Sequence, residues 1–141
     1  MSNLQSLVER IKQVAQSVPS INTVSTENVY DAMNGNRQVK YASFIISQGT
    51  HRYLENQTWY NFNLIYIDRL VDNLESNKIE VQSTAIEVLK NIIKEVCGEE
   101  DIDRTEVALD TFTERWNDLT AGAFANVSFV VMDDDCYETY G

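Results

Sequence analysis

The two cysteines and the single histidine are the side chains best suited to nucleophilic or metal chemistry. His51 with Cys97 or Cys136 would make a thiolate–imidazole pair. Neither cysteine has a second cysteine or a histidine within four residues, so the spacing of a zinc site is absent. Cys97 ends an apolar helical pattern, which favours burial, and Cys136 lies in a tail without a rigid platform. We therefore expect two free thiols and no metal ion.

Carboxylates crowd two short segments and raise the question of calcium. The segment "GEEDIDRTE" carries Glu99, Glu100, Asp101, Asp103 and Glu106. An EF-hand loop needs oxygen ligands at alternate positions around a central glycine, and this acidic run contains none. The run Asp133–Asp135 sends consecutive side chains in different directions, which also makes a weak ligand set. Both segments are expected to be solvated.

The sequence contains no GxGxxG, phosphate-binding loop, GxSxG or HExxH pattern. Its five glycines are scattered, and no cluster of them could cradle a phosphate. The sequence therefore predicts neither an enzyme nor a bound cofactor.

The net charge of −11 is unevenly spread over the 141 residues. Residues 1–60 hold five Lys/Arg and four Asp/Glu, a balance of +1, and residues 61–141 hold six and eighteen, a balance of −12. Tight binding to duplex DNA needs clustered cations, so the acidic balance argues against it. An acidic surface is compatible with DNA that passes nearby without being held, and equally with a surface that only keeps the protein soluble.

The elements that must position any site begin with an amphipathic helix. Its apolar residues recur at spacings of three and four up to Pro19, which ends the pattern. They are Leu4, Leu7, Val8, Ile11, Val14, Ala15 and Val18. Residues 20–38 are polar and irregular, with a short strand predicted at "NVYDAM" and a turn at "NGN". No apolar run approaches the ~20 residues that span a bilayer, and no secretory signal is present.

Two strands are predicted at "QVKYASFIISQ" and "WYNFNLIYID", paired as an antiparallel hairpin across a polar loop, "GTHRYLENQT". One face of the second strand is apolar: Tyr60, Phe62, Leu64 and Tyr66. A helix follows over residues 77–97, with Asn77 as N-cap, Glu80 as capping-box partner and Gly98 after its end. Its apolar stripe holds Ile79, Ile86, Leu89, Ile93 and Val96.

Two more strands are predicted at "EVALDTFTERW" and "AFANVSFVVM", the second after a turn at "DLTAG". The fold class is therefore α+β, with an antiparallel sheet and two main helices on one face. Residues 1–132 form a single domain, followed by an acidic, tyrosine-containing tail over residues 133–141.

Aromatic and arginine side chains are favoured anchors of protein interfaces. The loop between the hairpin strands carries three of them, and the tail carries two more. We expect the interface residues to be Arg52, Tyr53, Trp59, Tyr137 and Tyr140, with Tyr137 and Tyr140 anchoring the tail on a neighbour.

The order of elements resembles that of the tail-terminator and head-to-tail neck proteins of tailed bacteriophages over residues 1–132. The stretches that carry the resemblance are "NKIEVQS" and "TFTERWNDLTAGAFANVSFVV". The tail "MDDDCYETYG" has no counterpart in that pattern.

The resemblance implies a structural virion protein that is assembled in the host cytoplasm. Its subunits would form a closed homo-oligomeric ring of six or twelve around the DNA channel, with sheets packed edge to edge. Loops and terminal arms would reach other neck, portal-proximal or tail ring proteins, and DNA would pass through without specific binding. The alternative is a small soluble adaptor or regulatory protein-binding module unrelated to a virion ring.

Overall fold

The computed structural model describes residues 3–26, 40–70, 77–98, 102–115 and 119–132. They form two helices, α1 (Leu4–Gln16) and α2 (Lys78–Val96), and one sheet. The six strands of that sheet are β1 (Thr23–Ser25), β2 (Ser43–Gln48), β3 (Arg52–Leu54), β4 (Gln57–Arg69), β5 (Ile102–Arg115) and β6 (Leu119–Met132). The predicted α+β class is confirmed.

The sheet has the strand order β1-β2-β4-β6-β5, and β3 pairs with the start of β4. All pairs are antiparallel except β1–β2, which is parallel. The predicted pairing of β2 with β4 is confirmed, from Ser43 opposite Ile67 to Gln48 opposite Phe62. The longest ladder joins β4 to β6 at the centre of the sheet, from Gln57 opposite Met132 to Arg69 opposite Thr120.

Both helices pack on one face of this sheet, as predicted. Helix α2 buries Leu89 and Ile92 completely, and α1 buries Ile11 completely. They join a single core with alternate residues of the two central strands. The sheet side of this core includes Phe62, Leu64, Tyr66, Ala125, Val127 and Phe129. Tyr60 packs at its margin.

The helix ends follow different chemistry from that predicted. In α1, the Asn3 side chain accepts a hydrogen bond from the Ser6 amide, and Ser6 Oγ accepts one from the Asn3 amide. This capping box was not predicted. Asn77 stands at the predicted N-cap position of α2, but its side chain makes no capping hydrogen bond, so the predicted capping box with Glu80 is not formed. Ile79 is 70% exposed, so the buried stripe of α2 begins only at Ala85.

Several sequence-based boundaries also differ from the structure. The polar loop "GTHRYLENQT" contains β3 and a two-residue turn, in which Glu55 and Asn56 both have positive φ (54° and 63°). That pair of conformations matches the twist of a tight hairpin. The turn predicted at "DLTAG" was wrong from residue 119 onward, because Leu119–Gly122 belong to strand β6. Strand β1 lies in a stretch predicted to be irregular, and "NVYDAM" and "NGN" lie outside the described residues.

Gly122 marks the closest approach within the central ladder. A Cβ at this position would lie 1.9 Å from the Tyr66 carbonyl oxygen and 3.1 Å from the Phe112 ring. Because the first of these contacts is with backbone, no side-chain rotation can relieve it. Glycine is therefore required for β6 to run beside β4 here.

Among the described residues, neither helix has the length and apolar character needed to cross a membrane.

Leu89→Ala should lower the free energy of unfolding by about 2–5 kcal/mol, because it opens a cavity beneath α2. Urea unfolding followed by circular dichroism measures the loss. Ile79→Ala on the same helix is the matched control, since Ile79 is mostly exposed. Equal stability of the two variants would contradict the position of α2 on the sheet.

Gly122→Ala should destabilise the fold by about 1–3 kcal/mol, the usual cost of overpacking a core. Thermal unfolding provides the measurement. Gly49→Ala is the control, because a Cβ there would lie 3.4 Å from the nearest atom, an ordinary contact. A Gly122→Ala variant as stable as the control would show that β4 and β6 separate easily.

Candidate interaction surface

The β3–β4 hairpin projects the predicted interface residues of the first loop. Tyr53 is 59% exposed and Leu54 is 53% exposed, and both lie beside the tight turn. The Tyr53 hydroxyl donates to Asn56 Oδ1 at 3.2 Å, which fixes the ring against the turn. A rigid hairpin that exposes an aromatic and an aliphatic side chain is suited to contact another protein.

Trp59 is the centre of a second feature, on the sheet face that carries no helix. The Arg52 guanidinium carbon lies 5.0 Å from the centroid of the Trp59 ring, and that of Arg104 lies 4.7 Å from it. Both distances are within the range of cation–π attraction. Arg52, Trp59 and Arg104 are called the arginine–tryptophan cluster below.

The strand register explains how these three residues meet. Arg52 of β3 is directly opposite Trp59 of β4, and Trp59 is opposite Val130 of β6. Val130 is in turn opposite Arg104 of β5. Opposite residues of antiparallel strands point to the same face, so side chains from three strands converge over the fully buried Val130 of β6. Arg104 Nε also lies 3.4 Å from Glu106 Oε2.

The indole N–H of Trp59 is shielded from solvent and makes no hydrogen bond. Such a donor normally finds an acceptor when it is buried, because an unmade hydrogen bond costs about 1–3 kcal/mol. The cluster is therefore rich in hydrogen-bond donors and positive charge, and it has few acceptors.

His51 organises the base of the hairpin through both of its ring nitrogens. Its Nδ1 accepts a hydrogen bond from the backbone N–H of Asn61 at 3.0 Å. The ring proton is therefore on Nε2, which donates to Gln48 Oε1 at 3.1 Å. The ring also packs edge-on against Tyr60. The Cys97 sulfur lies 3.0 Å from the Thr105 hydroxyl. The described residues thus give no bonded contact between His51 and Cys97.

Amide and hydroxyl side chains form a strip beside the cluster on the helix-free face. Asn61 is opposite Ser128, and Asn63 is opposite Asn126. The Ser128 hydroxyl donates to Asn61 Oδ1, and the Asn61 side-chain Nδ2 donates to the Thr50 carbonyl. An open depression of about 230 Å³ lies beside this strip. It is smaller than the usual ligand pocket of about 300–1,000 Å³.

A larger, open groove of about 550 Å³ lies between α1 and β2. Its charged lining residues are Glu9 and Lys12, which pair with each other at 4.0 Å. No group of three metal-ligating side chains occurs among the described residues. Of the predicted acidic cluster, Asp103 and Glu106 belong to β5, and Glu99, Glu100 and Asp101 lie outside the described residues.

Strand β5 is a long edge strand. Its one strand partner among the described residues is β6, so no described strand lies along the other side of this 14-residue strand. Val107 is 43% exposed and Leu109 is 37% exposed on the face that carries the helices. The charged residues Arg104, Glu106, Asp110 and Glu114 alternate with them on the opposite face.

Burial perturbs two groups on β4, the core residue Tyr66 and the partly buried Asp68. Burial raises the pKa of the Tyr66 hydroxyl, against a hydrogen bond from Ser20 that lowers it. Burial also raises the pKa of the Asp68 carboxyl. The Arg69 amide donates to Asp68 Oδ1 at 2.8 Å and opposes that rise.

No protein-family model matches the chain, and a search of curated proteins found no relative. The function must therefore be argued from the surface itself.

Of the five predicted interface residues, the structure places Arg52, Tyr53 and Trp59 on one hairpin. Tyr137 and Tyr140 lie outside the described residues, as does Cys136. Sequence reasoning missed Arg104, which is about 50 residues from its partners along the chain. Only the alternation of side chains along β5 could indicate which face of the sheet Arg104 occupies. A register irregularity between residues 102 and 104 interrupts that alternation.

Asp68→Asn should raise the melting temperature near neutral pH. The raised pKa means that the folded state binds the Asp68 proton more tightly than the unfolded chain does, so the ionised form opposes folding. The gain should shrink as pH falls and vanish below the ordinary pKa of 3.8, where both states are protonated. Thermal unfolding across that pH range measures the difference, with the exposed Asp110→Asn as control. A gain that is independent of pH would contradict this account.

Proposed function

We propose that this chain is a structural protein of a tailed-phage virion. It forms a homo-oligomeric ring of six or twelve subunits around the DNA channel in the neck or tail, as a tail terminator or head-to-tail connector. It has no catalytic role and joins neighbouring rings of the neck or tail.

The observation that carries the proposal is the open edge of β5. An edge strand presents unpaired backbone N–H and C=O groups, which form a template for a strand of another chain. Natural monomers usually protect such an edge with proline, charge or a short strand. In β5 the charged residues Arg104, Glu106, Asp110 and Glu114 share one face, and the other face exposes Val107 and Leu109.

The two ends of the sheet differ, which favours a ring over a two-fold dimer. One end is the long strand β5, and the other is β1, a three-residue strand that pairs in parallel with β2. Contact between unlike edges is heterologous, and a heterologous contact closes into a ring when its rotation divides a full turn.

The charge balance also suits a channel protein. The chain carries a net charge of −11. Such a surface repels phosphate, so DNA would move past it without being held.

Val107→Lys/Leu109→Lys tests the role of the β5 edge. Two lysines on its apolar face should abolish assembly, because charged side chains at an edge strand oppose its pairing with a strand of another chain. Native mass spectrometry over a concentration series measures the assembly state. Ser83→Lys/Asn91→Lys is the charge-matched control on the exposed side of α2. Assembly that survives the β5 substitutions would remove this edge from the interface.

Location in a virion needs a separate measurement. Quantitative mass spectrometry of purified tailed particles from cells that express the chain should find it at a fixed multiple of six copies per particle. A chain that is absent from the particles, and is recovered with a soluble partner, would instead be an adaptor module.

A further inference from the structure

We infer that the arginine–tryptophan cluster is a docking site for a different protein, and that it binds an aspartate or glutamate side chain of that partner beside an apolar one. The site goes beyond the proposed ring contact. It lies on the helix-free face of the sheet, whereas the ring contact uses the open edge of β5.

The cluster already holds one carboxylate of its own chain. Glu106 Oε2 lies 3.4 Å from Arg104 Nε, and 49% of the Arg104 side chain stays exposed beside it. Arg52 is exposed and has no ion-pair partner among the described residues. The two arginines and Glu106 together therefore retain one positive charge, which suits one further carboxylate.

Trp59 holds the two guanidinium groups against one ring. The central carbons of Arg52 and Arg104 lie 5.0 and 4.7 Å from the ring centroid. A guanidinium that packs against an aromatic ring keeps N–H groups free at its edge, and that edge matches the two oxygens of a carboxylate. Because the ring restrains both side chains before binding, less side-chain freedom is lost when the partner docks.

An apolar contact lies beside the cations. Leu54 is two residues from Arg52 along β3, so the two residues lie on the same face of the strand. Leu54 is 53% exposed. Tryptophan and arginine are enriched among the residues that dominate binding energy, and neighbouring contacts that exclude water support them. Leu54 therefore favours a partner whose acidic residue has an apolar neighbour.

A single carboxylate fits this site better than a row of anions. A nucleic-acid strand presents successive phosphates, which Glu106 and the net charge of −11 repel. In a second copy of this chain, Glu106, Asp110 and Glu114 share one face of β5 and would approach together. A different protein with an isolated acidic residue avoids this repulsion.

Nuclear magnetic resonance of the full-length protein tests the inference with a defined probe, the peptide acetyl-Leu-Glu-Leu-amide. Its analogue acetyl-Leu-Gln-Leu-amide has the same shape without the charge. The reporters are the Trp59 indole N–H, in a Trp116→Phe background that leaves one tryptophan, and the Nε–H groups of Arg52 and Arg104. The acidic peptide should shift all three reporters with one dissociation constant. The glutamine peptide should bind about fivefold more weakly, the upper worth of an exposed ion pair.

Three variants separate the recognition of a carboxylate from a general attraction of charges. Arg52→Lys/Arg104→Lys keeps both charges and removes the planar forks, so affinity for the acidic peptide should fall several-fold. Glu106→Gln frees the edge of Arg104 and should raise that affinity about two- to fivefold. The control Lys90→Gln/Lys94→Gln removes two positive charges from the exposed side of α2 and should leave it unchanged. Circular dichroism checks that each variant is folded.

Equal affinity for the two peptides, full binding by the lysine variant, or an equal loss in the α2 control would overturn the inference. So would peptide-induced shifts that spare the three reporters and move only backbone amides along the open β5 edge. Tighter binding of an oligothymidylate at the same reporters would assign the cluster to nucleic acid. Reporter shifts that appear on raising the protein concentration without peptide would place a second copy there. Either of these last two results would overturn a different protein as the occupant.

Discussion

The antiparallel pairing of β4 with β6 is the constraint on which the rest of the structure depends. Its register fixes which side chains of both strands face the helices and which face the opposite side. A slip by one residue would exchange the two sets and place Asn61 and Asn63 in the core. Gly122 allows the two strands to approach where any side chain would meet the Tyr66 carbonyl. The core beneath α2 and the cluster around Trp59 are thus two consequences of one ladder.

The two faces of this ladder have different compositions. The helix side is closed by apolar packing, in which Leu89, Phe62 and Phe129 are almost completely buried. The other side carries arginine and tryptophan at one end, amides at its centre, and a small apolar cluster around Ile45 and Ile67 at the far end. Because the packed side stabilises the fold, the polar side is available for recognition.

The proposed ring contact and the arginine–tryptophan cluster use different parts of β5. The ring contact uses its open backbone edge and the apolar residues Val107 and Leu109 on the helix side. The cluster uses Arg104 on the other side, near the start of the strand. Since successive side chains of a strand point to opposite faces, a single strand can serve both roles without competition between them.

The sequence by itself determined the α+β class, the pairing of β2 with β4, the buried face of β4 and the placement of Arg52, Tyr53 and Trp59 outside the core. Those features follow from local periodicity, which side-chain burial enforces along each element. Tertiary structure alone decided that Arg104 joins Arg52 at Trp59, that His51 anchors the hairpin, and that β5 is left at an edge. It also decided that Ile79 is exposed although it continues the apolar stripe of α2. Each of these depends on the order and register of strands far apart in the chain, and no local pattern encodes which distant strand becomes a neighbour.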